Sequence, residues 1–254
     1  MGYVISLINE KGGVGKSSLT FSTAWHLAAQ GKKVLMIDMD GQTANLTYIA
    51  GIEKRDGMPS MYDCLVRGSD IASCVLPVNG RDGLFIVPAD TAMADAMTTV
   101  KLSRMKKVIQ SVRQAYDYIF VDVSPSPDWK HALTLGTADY VCIVMLPDVM
   151  SLEANTGIVE SILDVKDGIN PSLKVAGIVM NQFDGRTNLG KAVKMQADSM
   201  AQALDTHLFG TMIRKTVKMP ESVYYHAGIT QYEPRSEISA DIAAFTEELV
   251  SAVE

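Results

Sequence analysis

Asn9-Glu10-Lys11-Gly12-Gly13-Val14-Gly15-Lys16-Ser17-Ser18 lies between an apolar run, Tyr3 to Ile8, and a long helix-like stretch that opens at Ser17. A strand, a glycine-rich turn and a helix start, in that order, form the setting of a phosphate loop. Glycines at 12, 13 and 15 let the backbone turn tightly and come close to phosphate oxygens. Their N–H groups and the helix N-terminus together make a nest for an anion. Lys16 is placed to reach the β- and γ-phosphates, and the Ser17 hydroxyl to ligate Mg²⁺. A ligand-free turn would account for a single G-x-G. Three glycines with a Lys-Ser pair in a strand–helix frame point to a nucleotide, held by Gly12, Gly13, Val14, Gly15, Lys16, Ser17 and Ser18.

Outward from this loop, short runs rich in Val and Ile alternate with longer amphipathic stretches. Tyr3–Ile8, Lys33–Ile37, Leu84–Val87, Tyr118–Val121, Tyr140–Leu146 and Lys174–Met180 read as strands. They lack polar alternation, as parallel strands buried on both faces do. Ser17–Gln30, Leu102–Ala115, Ser151–Lys166, Leu189–Leu204 and Ile238–Val253 read as helices. The expected fold is α/β: a doubly wound, mostly parallel sheet flanked by helices. With 254 residues and no linker-like segment, one domain over 1–254 is the economical division. Glu53 to Arg81 is the least regular part and reads as a surface excursion.

Carboxylates stand where such a sheet binds ligands. The second strand runs into Asp38-Met39-Asp40, and alternation puts Asp38 and Asp40 on one face. The run Tyr118-Ile119-Phe120-Val121 closes on Asp122, which has the character of an acid that holds a metal through water. Open α/β sheets bind ligands beyond the carboxyl ends of their strands.

Composition excludes several classes. Lys and Arg total 23 against 29 Asp and Glu, a net charge of −6, so the chain is not basic throughout. No apolar run approaches the roughly 20 residues of a membrane span, and no leader pattern precedes the first strand. Cys64, Cys74 and Cys142 have no C-x-x-C spacing, so reduced thiols in a cytoplasmic protein are expected rather than a metal or cluster site.

The glycine loop departs from G-x-x-x-x-G-K-[ST], because Glu10 occupies the first glycine position. It fits K-G-G-x-G-K-[ST], and here the sequence resembles the ParA/MinD family of deviant Walker-A ATPases. That resemblance implies an ATP-bound homodimer sandwiching two nucleotides. Lys16 would act in cis, and Lys11 would reach across to the partner's nucleotide as a catalytic and nucleotide-binding residue. Asp38-Met39-Asp40-Gly41-Gln42 is similar to the family's D-x-D-P-Q, with Gly41 for proline. It implies Asp38 near Mg²⁺, beside Ser17 and Asp122, and Asp40 positioning the attacking water. Asp122-Val123-Ser124-Pro125-Ser126 is similar to D-x-P-P-S, with Ser124 for the first proline. Asn181 matches a purine-contacting position, and Gln182 in place of the lysine of N-K-x-D favours ATP over GTP. Ile213-Arg214 stands where relatives commonly carry proline beside the base.

The resemblance to Soj-type and short plasmid ParA proteins extends over nearly the whole chain. It implies an ATP-dependent switch that binds nonspecific DNA as a dimer and is released by slow hydrolysis. A ParB-like or other cargo adaptor with a basic tail would stimulate that hydrolysis, and the protein would be cytoplasmic and nucleoid-associated. Lys191, Lys194, Arg214, Lys215 and Lys218 are the expected DNA contacts, if they share a face. The alternative is the same switch positioning a protein cargo or working at a membrane, as MinD does. Glu237 to Glu254 has no lysine or arginine, so stable membrane association is not expected.

Overall fold

The computed structural model describes residues 1–43, 45–53, 55, 57–94, 100–126, 128–148 and 150–254. The elements run β1 (Tyr3–Ile8), α1 (Lys16–Ala29), β2 (Val34–Asp38), α2 (Asn45–Ile49), β3 (Leu76–Pro77) and β4 (Leu84–Val87). There follow α3 (Leu102–Val112), β5 (Tyr118–Asp122), α4 (Trp129–Thr137), β6 (Tyr140–Met145), α5 (Met150–Gly168) and β7 (Lys174–Met180). The chain finishes with α6 (Asn188–Ala203), α7 (Lys218–Tyr224), α8 (Ile229–Tyr232) and α9 (Glu237–Val253).

The strands form one sheet in the order β3-β4-β2-β5-β1-β6-β7. All described pairings are parallel except β3 with β4. From β1 the chain crosses to β2 on one side, returns to β5, and then passes to β6 on the other. The connections therefore diverge around the C-terminal end of β1, where this architecture opens a ligand crevice. The phosphate loop leaves β1 at that point.

Burial follows the pattern of the sequence. Every residue of β2 and β5 is buried, as doubly covered parallel strands require. Ile5 and Leu7 of β1 enter one core with Phe21, Trp25, Phe209 and Phe245, beneath α1 and α9. Val4 and Ile8 point the other way, into the layers built by α3 and by α5 and α6. In α3, Met105, Val108, Ile109 and Val112 recur at helical spacing and are all buried.

Two sheet edges are blunted. β3 is two residues long and carries Pro77, which has no N–H to offer a further strand. Alongside β7, Ile178 donates to His207, Phe209 donates to Ile178, and Ile213 donates to Met180, so residues 207–213 occupy the outer edge.

The excursion expected at 53–81 contains a π-turn (Asp63–Arg67), a 3₁₀ turn (Ile71–Cys74) and β3; residues 54 and 56 lie outside the described residues. All three cysteines are buried and free of disulfides. Among the described residues, no helix is long and apolar enough to cross a membrane. The apolar stripe of α9, with Ile242, Phe245 and Leu249, is packed into the core.

Candidate nucleotide site

The loop between β1 and α1 borders a cleft of about 990 Å³. Gly12, Gly13, Gly15, Lys16, Ser17 and Ser18 line it, and Asp40 faces them. Gly15 caps α1 in the left-handed region at φ 92°. A Cβ there would also stand 2.4 Å from Asn181 Nδ2, so only glycine fits. Val14 lies in the core, and its carbonyl accepts a 2.7 Å bond from Asn181 Nδ2. Asn181 Oδ1 accepts from the Gln182 N–H at 2.9 Å. Asn181, expected to contact a purine, thus first braces the phosphate loop while also lining the cleft.

Lys16 is buried, and its Nζ lies 3.4 Å from the Lys11 carbonyl. Burial lowers its pKa, against the opposing charges of Asp122 and Asp40. A cation so poor in protein partners is suited to take up phosphate oxygens.

The three strand-end acids differ in their surroundings. Asp122 is 1% exposed; its Oδ2 accepts a 2.6 Å bond from Ser17 Oγ, while Oδ1 has no hydrogen-bond partner in the protein. Burial, then the neighbouring Asp38 charge, pushes its pKa up to about 7. Asp40 holds its own loop: Oδ1 accepts from the N–H groups of Gln42 and Thr43, and Oδ2 from Thr43 Oγ1 at 2.5 Å.

Asp38 corrects the sequence expectation. Its Oδ1 accepts from the Asp40 N–H at 2.9 Å, and its Oδ2 from the Thr47 N–H and Oγ1 at 2.8 and 2.7 Å. It is fully buried, and burial raises its pKa to about 6. With both oxygens turned onto Asp40 and Thr47, it braces the loop carrying Asp40 rather than offering a free metal ligand. Thr47 already supplies the donors that a buried carboxylate needs.

Ser17 and Asp122 suit Mg²⁺. Oxygen donors of this kind match a hard cation that keeps several waters and leans on phosphates. The orphaned Asp122 Oδ1 is an acceptor that bound water would satisfy, and the buried, unpartnered Ser124 Oγ, on the same cleft, can donate to a ligand oxygen. Ser17 would ligate the ion directly and Asp122 through water. Among the described residues no cluster of three acidic, His or Cys side chains forms a metal cage.

Lys11 points out of this cleft. Its Nζ pairs with both oxygens of Asp148, at 2.6 and 2.7 Å, with the lysine side chain 26% exposed. Its own backbone N–H donates to Asn9 Oδ1. Asp148, which sequence reasoning missed, follows the end of β6 by three residues. Its signal was weak, since Asp38 and Asp122 end β2 and β5 whereas Asp148 stands beyond its strand.

The far wall of the cleft is formed by residues 213–220, including Ile213, Lys215, Val217 and Pro220. The five cations expected on DNA do not form one free set. Lys191 and Lys194 are exposed on α6, three residues apart and opposite the buried Val193 and Ala197. Lys215 is exposed at the cleft mouth. Arg214 instead grips Asp241 and Glu237, and Lys218 pairs with Glu221 and Glu233. Three of those acids are distant in sequence from the cations, Glu221 lies three residues from Lys218, and together they neutralise the two.

Comparison with known proteins agrees with this layout. The AAA domain family matches residues 2–175. The sporulation initiation inhibitor protein Soj of Bacillus subtilis is 31% identical, across 96% of this chain and 97% of its own. The chromosome-partitioning ATPase Soj of Thermus thermophilus is 29% identical, across 98% and 96%. The septum site-determining protein MinD of Pyrococcus horikoshii, solved with Mg-ADP, superposes with a TM-score of 0.80 at 20% identity, covering 98% of this chain and 96% of that one.

Proposed function

The chain belongs to the ParA/MinD-type P-loop ATPases, and on that premise we propose that it is an ATP-dependent molecular switch for moving or positioning DNA. It is an ATPase that uses ATP and Mg²⁺. In the proposed cycle, two ATP-bound protomers join as a sandwich dimer that holds nonspecific DNA. Slow hydrolysis, stimulated by a ParB-like or other adaptor with a basic tail, releases it, and the outcome is plasmid or chromosome partition.

The observation that carries the dimer is the placement of Lys11. It sits at the rim, on Asp148, and does not line its own protomer's cleft. A lysine so placed can serve a nucleotide held by a second copy once Asp148 releases it. Within one protomer, Lys16 and the loop N–H groups neutralise the phosphates, and Asp40 orients water for in-line attack. When bound, Mg²⁺ would neutralise charge on the β- and γ-phosphates. For DNA, exposed Lys191, Lys194 and Lys215 are the supported contacts. Nearly full-length similarity to a chromosome-partitioning ATPase favours DNA as the surface on which the switch acts.

The test is retention on nonspecific duplex DNA at two stated salt concentrations, with ATP, ADP or no nucleotide. Retention with ATP alone is expected, weakened by salt, lost in Lys16→Ala and kept in Asp40→Ala. Lys191→Ala with Lys194→Ala should lower retention and flatten its salt dependence. Intact ATP hydrolysis with no retention in any state would transfer the switch to a protein cargo. Co-sedimentation with anionic vesicles would move it to a membrane.

A further inference from the structure

The cleft wall at residues 213–220 has no long element of its own to hold it rigid until α7 begins at Lys218. It is seated instead by one side of α9. Arg214 donates from its backbone N–H to Asp241 Oδ2 at 3.1 Å, from Nε to the same oxygen at 2.6 Å, and from Nη2 to Oδ1 at 2.9 Å. Its Nη1 donates to Glu237 Oε2. Two turns further along α9, Glu248 Oε2 accepts from the Gly210 N–H at 2.7 Å, and Oε1 accepts from the Thr211 N–H at 2.9 Å and from Thr211 Oγ1.

Residues 237, 241 and 248 are four and seven apart, so one helical face carries all three carboxylates. The other side of α9 is buried through Ile238, Ile242, Phe245 and Leu249, which fixes the helix against α1 and β7. A planar guanidinium forked onto a carboxylate is directional as well as attractive. Asp241 is 12% exposed, so this fork is partly shielded from water. The segment entering the wall is thereby tied to a rigid support at 210, 211 and 214.

We infer that the Glu237–Asp241–Glu248 face of α9 positions the wall that closes on the base and ribose of the nucleotide, with Asp241, acting through Arg214, as its principal positioning residue. The phosphate end of the cleft is built from β1, α1 and β5 and does not depend on these bonds. The helix therefore governs how strongly the cleft distinguishes a nucleoside triphosphate from a bare triphosphate chain. Arg214 serves the nucleotide in this arrangement and not DNA. The inference rests on ATP binding in this cleft and is independent of what surface the switch acts on.

The test is displacement of a fluorescent ATP analogue, with Mg²⁺ present, by ATP and by inorganic tripolyphosphate. In Asp241→Asn the Kd for ATP is expected to rise at least about fivefold, with the value for tripolyphosphate changed less than about twofold. Asp241→Glu should recover part of the loss. Glu248→Gln, which leaves the Arg214 fork intact, should move ATP in the same direction by a smaller factor, and it stands in if Asp241→Asn fails to fold. Equal losses for both ligands, or unchanged ATP affinity in folded variants, would overturn the inference. Lys16→Ala, which should lose both ligands, reports on the phosphate site itself. No DNA is present, so failure of wild type to retain DNA elsewhere would leave this result standing.

Discussion

Asp38 and Asp122 are register partners at the C-terminal ends of β2 and β5, two buried carboxylates side by side beneath the phosphate loop. Burial raises both pKa values, to about 6 for Asp38 and about 7 for Asp122, from an ordinary 3.8, and the Asp38 charge adds to the rise at Asp122. A carboxyl whose folded pKa is raised binds its proton more tightly folded than unfolded. Its contribution to stability is therefore full below the unfolded value and is lost as pH rises through the folded one. Without nucleotide and metal, the melting temperature is expected to fall by several degrees between pH 4.5 and pH 7.5, since each pKa unit is worth about 1.4 kcal/mol. Asp122→Asn should flatten that slope and raise Tm at pH 7.5. A thermal melt series in a chelating buffer checks it, and an unchanged slope in the variant would count against a raised pKa at Asp122.

Gly15→Ala should abolish ATP binding, with an affinity loss of more than tenfold. The substitution adds a Cβ 2.4 Å from Asn181 Nδ2 and forces alanine to φ 92°. Asn181→Ala removes the clash but not the backbone strain, so the double variant should recover only part of the affinity. Calorimetric titration with Mg-ATP on the three variants measures this. Full recovery in the double variant would show that the clash alone mattered.

The fold and the phosphate end of the site were legible because local chemistry fixes them. The six long strands were found within a residue or two of their ends, since buried parallel strands are continuous runs of Val and Ile. Helices α2, α4, α7 and α8 escaped notice, being short or lacking a clear apolar stripe. The loop glycines and Lys16 announce themselves by spacing. Asp38 looked like a metal neighbour because its partner, Thr47, lies nine residues on, across a turn that spacing does not reveal. Arg214 and Lys218 looked like free cations because Glu233, Glu237 and Asp241 arrive from the end of α8 and from α9; Glu221, three residues from Lys218, was within local reach. Pairing between distant segments is a property of the packing, and a count of local charge cannot contain it.

The Lys11–Asp148 pair predicts a concentration effect. Asp148→Asn weakens the hold on Lys11 without removing the lysine, so the ATP-dependent dimer should form at a several-fold lower protein concentration. Partly exposed ion pairs are worth on the order of 1 kcal/mol or less, which sets the scale of that shift. Sedimentation of wild type, Asp148→Asn and Lys11→Ala with Asp40→Ala as background would decide it. A weaker dimer in Asp148→Asn would show that the acid supports association instead.

Basal turnover should be slow, well below the ordinary enzyme median of ~10 s⁻¹. Asp40 is tied to Gln42 and Thr43 in the structure, and no arginine among the described residues lines the phosphate end of the cleft. Asp40→Ala should lower hydrolysis by at least about tenfold while ATP binding stays within a few-fold of wild type. Phosphate release and nucleotide titration together test this, and a turnover near the median would contradict it.

The blunted margins of the sheet bear on how a protein working by the proposed cycle survives repeated assembly. A flat exposed strand invites its own copies to add on without limit, and fibres or precipitate follow. Here Pro77 ends one margin and residues 207–213 overlie the other. Among the described residues, these two margins leave a second copy no long flat strand of the sheet to extend. The proposed sandwich closes through side chains and nucleotide instead, and an encounter of that kind can be undone.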